Sequence, residues 1–132
     1  MRSFVIASAV LVGSSICALG ADAPNLVGNW TRTAVTMVLN KGGTKPLFVN
    51  GNDEVWKMKI DTQQNGSFSG TLTGSIPRSQ PIVGAFQSDG KRFVFSTAHD
   101  SGGGEATSDE LQYCWTNARP IIAGCATFKK DK

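Results

Sequence analysis

Polar and apolar residues alternate with a period of two through residues 54–76. Trp56, Met58 and Ile60 fall on one face of a first strand, and Val55, Lys57 and Lys59 on the other. That is the pattern of a sheet with one wet face. In a second strand Phe68, Leu72 and Ile76 share a face with Gly70 and Gly74, opposite a row of serines and threonines. Asn65-Gly66 between the two strands is a strong hairpin signal. The two apolar faces must coincide. A two-residue turn at Asn65-Gly66 pairs Gln64 with Ser67 and puts Trp56 on the face of the serines, because a one-residue slip reverses every side chain. A three-residue loop Gln64-Asn65-Gly66, with Gly66 left-handed and a bulge, restores agreement. It sets Trp56 opposite Gly74, Met58 opposite Leu72 and Ile60 opposite Gly70. Large residues facing glycines suit the inside of a tightly curved sheet.

The rest of the chain reads as further strands, with no long helical period after residue 20. A first strand runs over residues 27–40. Its apolar parity changes between Trp30 and Val35, which places a bulge near Arg32-Thr33. Residues 41–53 form a long loop with a short strand at Leu47-Phe48-Val49, and 77–81 a connector. A second hairpin crosses Asp89-Gly90; a two-residue turn there pairs Phe86 with Phe93 and Gly84 with Phe95. Residues 99–104 read as a glycine-rich loop and 105–107 as a short edge strand. A third hairpin, 111–116 with 121–129, sets Cys114 opposite Cys125, Trp115 opposite Gly124, Tyr113 opposite Ala126 and Leu111 opposite Phe128. The disulfide then points outward and the apolar residues inward. The expected fold is all-β: an eight-stranded antiparallel up-and-down barrel, closed between first and last strands so that no edge is exposed.

The length of 132 residues implies one domain. Residues 1–20 do not belong to it. Arg2, the apolar run from Phe4 to Val12 and Ala18-Leu19-Gly20 have the form of a secretory signal peptide cleaved after Gly20. The run is too short for an integral membrane span. Residues 21–132 then form the barrel, exported to the periplasm or the extracellular space. Cys17 leaves with the signal, and Cys114 with Cys125 reads as one disulfide in an oxidising compartment. Losing Arg2 takes the net charge from +3 to +2. Such a balance, without basic runs interleaved with aromatics, implies no nucleic-acid partner.

Short motifs carry a family resemblance. Gly28-Asn29-Trp30 resembles the Gly-x-Trp opening of the calycins, the lipocalin and avidin barrels. Residues 66–72, Gly-Ser-Phe-Ser-Gly-Thr-Leu, resemble an avidin hairpin, and Ala126-Thr127-Phe128-Lys129 is similar to the avidin closing strand. The chain thus looks like a small secreted bacterial calycin-like barrel. Where avidins carry an Asn after Trp-Thr and a Tyr closing the second motif, this chain has Arg32 and Leu72, which argues against biotin. The lipocalin likeness also implies that a basic residue near the end, Lys129 or Lys130, covers Trp30 in a structural cation–π contact.

Six aromatic residues point inward on this reading: Trp56, Phe86, Phe93, Phe95, Tyr113 and Trp115. They line a pocket for a small apolar or aromatic ligand, or they simply fill the barrel, since eight strands leave room for only one of the two. His99, Asp100, Glu105, Asp109 and Glu110 cluster near the glycine loop without regular ligand spacing, and read as a solvated acidic loop rather than a metal site. No nucleophile motif is present, no cofactor is implied, and an enzyme is not expected. The leading expectation is non-catalytic binding of a small molecule or surface component. The alternative is a proteinaceous enzyme inhibitor, with a protein partner engaged by an N-terminal arm (21–26) or the 41–53 loop; some bacterial protease inhibitors resemble this size and shape.

Overall fold

The computed structural model of the protein describes residues 23–40, 42, 45–50, 55–74 and 79–132. The proposed signal peptide, residues 1–20, lies outside them, as do residues 51–53 of the long loop and Ile76.

The hairpin that dominates the sequence pattern has the expected register on its core side and a different turn. Strands β3 (Lys57–Gln64) and β4 (Ser67–Thr73) pair Met58 with Leu72 and Ile60 with Gly70. The turn is nevertheless the two-residue Asn65-Gly66, with φ of 51° and 76°, and Gln64 pairs with Ser67. Positive φ at both central residues gives the turn whose twist matches the strands. Parity is restored inside β3, where the register shifts between Ile60 and Thr62. The bulge at Asp61 leaves Trp56, Met58 and Ile60 inside, and beyond it turns Gln63 inward opposite Phe68.

Strands β5 (Ser79–Phe86) and β6 (Arg92–Thr97) pair Phe86 with Phe93 and Gly84 with Phe95, as the sequence implies. Their tip is longer than two residues: Gln87 N–H donates to the Arg92 carbonyl and Gly90 N–H to the Gln87 carbonyl. Residues 79–81, expected as connector, are already strand, with Pro81 opposite Thr71 and facing solvent.

The largest correction is β7 (Ser101–Ala106), which occupies the expected loop and replaces the short edge strand. It is an interior strand, paired with β6 on one side and with β8 (Glu110–Ala118) on the other. Gly102 sits between Phe95 and Trp115, and Gly104 between Phe93 and Tyr113. A Cβ on Gly104 would lie 1.9 Å from the Gln112 carbonyl oxygen. The strand can approach β8 this closely only without side chains, and the rings on either side take up the space above it.

Strand β9 (Ile121–Lys130) pairs with β8 in the expected register, including Cys114 with Cys125, and the exposed pair forms the disulfide. Strand β1 (Gly28–Asn40) closes the barrel against β9, with the anticipated irregularity between Arg32 and Ala34. Its first residues, Gly28 to Thr31, also pair with β3. The result is a closed eight-stranded antiparallel barrel of β1 and β3 to β9; the described residues contain no helix.

One strand is added. Past Thr31, where β3 begins, β1 runs on and pairs residues 36–39 with β2 (Leu47–Asn50). The far ends of β2, β1, β9 and β8 thus form a four-stranded wall continuing one side of the barrel.

The opposite end is sealed by the chain's own start. Leu26 is fully buried, its N–H donates to Gln63 Oε1 at 2.7 Å, and Gln63 Nε2 donates to the Pro24 carbonyl at 2.9 Å. Trp30, also fully buried, donates its indole N–H to the Leu26 carbonyl at 2.8 Å. The basic cover of Trp30 is Lys130, with Nζ 5.4 Å from the ring centroid and donating to the Asn25 carbonyl. Lys129, one residue earlier and of opposite parity, is exposed.

Candidate functional site

The six inward aromatics divide between the two ends of the barrel. Phe86 and Phe93 belong, with Phe68, to an edge-to-face trio with centroids 5.7 to 6.0 Å apart. This trio lies beside the sealed end, where Phe68 faces Gln63, and it fills that half rather than lining a pocket. Phe95, Tyr113, Trp115 and Trp56 continue as a chain of ring contacts, at 4.7, 5.5 and 5.6 Å, towards the open end. Trp56 lies across Gly74, where a Cβ would come within 3.1 Å of its indole.

These four rings surround a cavity of about 30 Å³, completed by Leu72, Gly74, Gln80, Thr97 and Asp100. That volume holds one or two water molecules. Most of the barrel is therefore filled, and what remains is a small chamber at one mouth.

The chamber is polar as well as aromatic. Gln80 is 7% exposed, yet its Oε1 has no hydrogen-bond partner among the described residues, and neither has the buried Nε1 of Trp56. A buried polar atom left without a partner costs about 1–3 kcal/mol. Here a donor and an acceptor on the walls of one cavity share that condition. Arg32 has the parity of Trp30 and pairs with Phe128, so it enters the barrel; its guanidinium lies 4.9 Å from the Trp56 ring centroid. Burial holds the Tyr113 hydroxyl far above its usual pKa, with the Asp100 charge adding to the shift and Arg32 opposing it. Tyr113 thus stays protonated throughout the neutral range, under the influence of both flanking charges. Asp100 is held by a local turn in which its N–H donates to Thr97 Oγ1 and its carbonyl accepts the Thr97 N–H.

Of the expected acidic cluster, only Asp100 reaches the chamber. His99 is exposed, Glu105 is on the outer face, Asp109 accepts from the Thr107 hydroxyl and Glu110 from Gln112. Among the described residues no three His, Cys, Asp or Glu side chains converge as a metal site. No helix among them is long and apolar enough to cross a membrane.

Gln80 is the chamber residue that the sequence pattern does not single out; the pattern puts Asp100 only in a solvated acidic loop, and names Arg32, which lies beside the chamber over Trp56, without giving its direction. Gln80 shares the parity of Ile82, Gly84 and Phe86, which would have marked it as inward. The prolines on either side hid it by making the segment look like a connector. Arg32 immediately precedes the bulge, where an inward or outward direction depends on which residue is the extra one.

No protein-family model matches the chain, and no curated protein does. Solved structures do. A redesigned β-barrel, b11L5F_LGL, is similar over 90% of this chain and 100% of its own, with a TM-score of 0.52 and 12% identity. The redesigned barrel mFAP0 bound to DFHBI covers 80% of this chain and 98% of its own (TM-score 0.45, 14% identity). The S-type phycobiliprotein lyase CPES from Guillardia theta covers 81% and 89% (TM-score 0.42, 15% identity). The first of these likenesses bears out the barrel fold, at an identity that says nothing of function.

Proposed function

We propose that this protein is an exported, calycin-like barrel that holds a small molecule in the chamber at its open mouth and performs no chemistry on it. One observation carries the reading: the Trp56 Nε1 donor and the Gln80 Oε1 acceptor are both buried without partners among the described residues, and both residues line one aromatic cavity. Interiors normally satisfy such atoms, and a ligand would supply both partners at once. The Cys114–Cys125 disulfide is consistent with export.

The chamber in its present state is too small for an organic ligand. An engineered cavity takes benzene at about 150 Å³, five times the 30 Å³ found here. Trp56 is the side chain whose displacement opens it. It is half-buried, stands just before β3, and lies across Gly74, with the Trp115 ring and the Arg32 guanidinium as its side-chain neighbours.

Against the arm of the inhibitor reading, residues 21–26, stand the Gln63, Trp30 and Lys130 hydrogen bonds that hold 24–26 at the sealed end; residues 21–22 lie outside the described residues. Its loop version retains β2, where Leu47 and Phe48 are exposed.

Titration with a panel of neutral aromatic molecules, followed by tryptophan fluorescence, tests the binding reading. Saturable quenching that weakens in Gln80→Leu and in Trp56→Phe is expected. A panel that gives no saturable change up to millimolar concentration refutes it.

A further inference from the structure

Three strands of the four-stranded wall are apolar on both faces where they leave the barrel. Residues 37–39, 47–49 and 121–123 are unbroken apolar runs. The register sets these runs side by side: Val38 pairs with Phe48 on one edge and Ala123 on the other, and Leu39 with Leu47 and Ile122. Such runs belong to strands covered on both faces. None of these nine residues is buried, and Leu47, Phe48 and Ile121 are 56%, 74% and 62% exposed. Outward valines also occur on β5 and β6, Val83 and Val94, but those strands are paired along both edges. The wall, by contrast, ends in an edge. Among the described residues β2 pairs with β1 alone, so its other side offers backbone N–H and C=O groups to a further strand.

We propose that a second copy of this chain covers that edge, β2 of one copy pairing antiparallel with β2 of the other about a two-fold axis through Phe48. A two-fold interface needs a patch that complements itself, and Leu47-Phe48-Val49 is one. With the axis perpendicular to the sheet, each face of one wall continues as the same face of the other. Phe48 then meets Phe48 of the other copy on the outer face. Leu47 meets Val49 of the other copy on the inner face, twice by symmetry. Every pair is apolar, and apolar cross-strand pairs add to the strength of the ladder. Pro46 would lie opposite Asn50; with no N–H to donate, it bounds the pairing. A lipid surface would cover the apolar faces but leave the edge unpaired, and open sheet edges do not occur in hydrocarbon. The matching run is present in every copy, so no other protein is needed to supply it. Four residues a side is far below the ~20–30 of a standard interface, so the association is weak and belongs to high micromolar to millimolar concentrations.

The experiment is sedimentation velocity across that range, together with single-cysteine variants oxidised with copper–phenanthroline and separated on non-reducing gels. The wild-type chain, whose Cys114 and Cys125 are bonded to each other, is the blank for crosslinking. The sedimenting mass should rise with concentration and stop at the dimer, because the two-fold pairing uses up the edge. Phe48→Asp, at a side chain 74% exposed, should remove the rise and leave the fluorescence spectrum of the folded chain unchanged. Phe48→Cys should crosslink to itself. Leu47→Cys and Val49→Cys should each crosslink at least tenfold less when alone, and recover the yield when the two are mixed. A chain that stays monomeric throughout overturns the proposal; if that monomer co-sediments with phosphatidylglycerol vesicles, lipid is what covers the wall. A dimer that survives Phe48→Asp, or Leu47→Cys crosslinking alone as well as Phe48→Cys, puts the contact elsewhere and overturns it too.

Discussion

Gly104→Ala is the sharpest test of the way this barrel is built. The new Cβ would stand 1.9 Å from the Gln112 carbonyl oxygen and 2.7 Å from the Tyr113 Cα. Both obstacles are backbone, so no rotamer relieves them. Reaching an ordinary contact of about 3.5 Å requires β7 and β8 to part by more than about 1 Å. Ladder bonds of about 2.9 Å then stretch to roughly 4 Å, beyond useful hydrogen bonding. Two ladder groups left unpaired at about 1–3 kcal/mol each give a cost of about 2–6 kcal/mol, a large part of the ~5–15 kcal/mol that holds a domain folded. Gly124→Ala is the control. There the nearest obstacle is the Trp115 ring, at 2.6 Å, and a ring can turn; overpacking of this kind costs about 1–3 kcal/mol. Urea unfolding followed by tryptophan fluorescence measures both, with unchanged m-values as the check on two-state behaviour. Gly104→Ala should be clearly the worse, and failure to fold beside a folded Gly124→Ala gives the same order. A Gly104→Ala variant within about 1 kcal/mol of wild type, or more stable than Gly124→Ala, would refute the placement of β7 against β8.

The other predictions concern the disulfide and the β5–β6 tip. The Cys114–Cys125 bond closes a short loop, with a sequence separation of 11. Replacing both cysteines by serine should cost about 2–3 kcal/mol and lower Tm by roughly 10–20 °C in a domain of this size; an unchanged calorimetric Tm would contradict that. The Asp89 carboxyl is drawn down from 3.8 to about 2 by the Arg92 side chain, then by the backbone N–H groups of Arg92 and Lys91. Its folded pKa lies below its unfolded one, so its contribution to stability is complete above about pH 4 and is lost as pH falls through about 2. NMR titration of the side-chain carboxyl should find the midpoint near 2; a midpoint at the ordinary carboxylate value would remove the turn from the pH response.

The pairings that oppose bulk to glycine were legible in the sequence because they involve side chains. Ile60 with Gly70, Gly84 with Phe95 and Trp115 with Gly124 all follow from asking which faces can be apolar together. Turn type was not legible, since a two-residue turn with a bulge at Asp61 and a three-residue turn put the same residues inside. Nor was β7. Three consecutive glycines lower strand propensity, and only the rings of two other strands make them necessary there. The chamber was legible in its aromatic half, Trp56, Phe95, Tyr113 and Trp115. Phe86 and Phe93 have the same inward parity but lie at the other end. Parity tells in from out and carries no information about height along the barrel axis.

Height is what gives the two ends different roles, and two bulges set it. The one at Asp61 turns Gln63 inward at the bottom of β3, where both its amide atoms bond residues 24 and 26. The one between Arg32 and Ala34 lets β1 keep Trp30 and Arg32 inside below it and Val35 and Met37 inside above it. Without it, β1 would turn its apolar upper half outward, and the wall would lose Met37 and Leu39 from its inner face. At the sealed end every polar group drawn inward finds a bond: Gln63 to the arm, Trp30 to Leu26, Lys130 to Asn25. At the open end the Gln80 Oε1 and Trp56 Nε1 atoms, of the same chemical types, are buried with no partner among the described residues. The same fold can satisfy such groups and does so about one barrel length away. The unsatisfied pair is therefore local to the open mouth, and that is where a ligand's contribution would be largest.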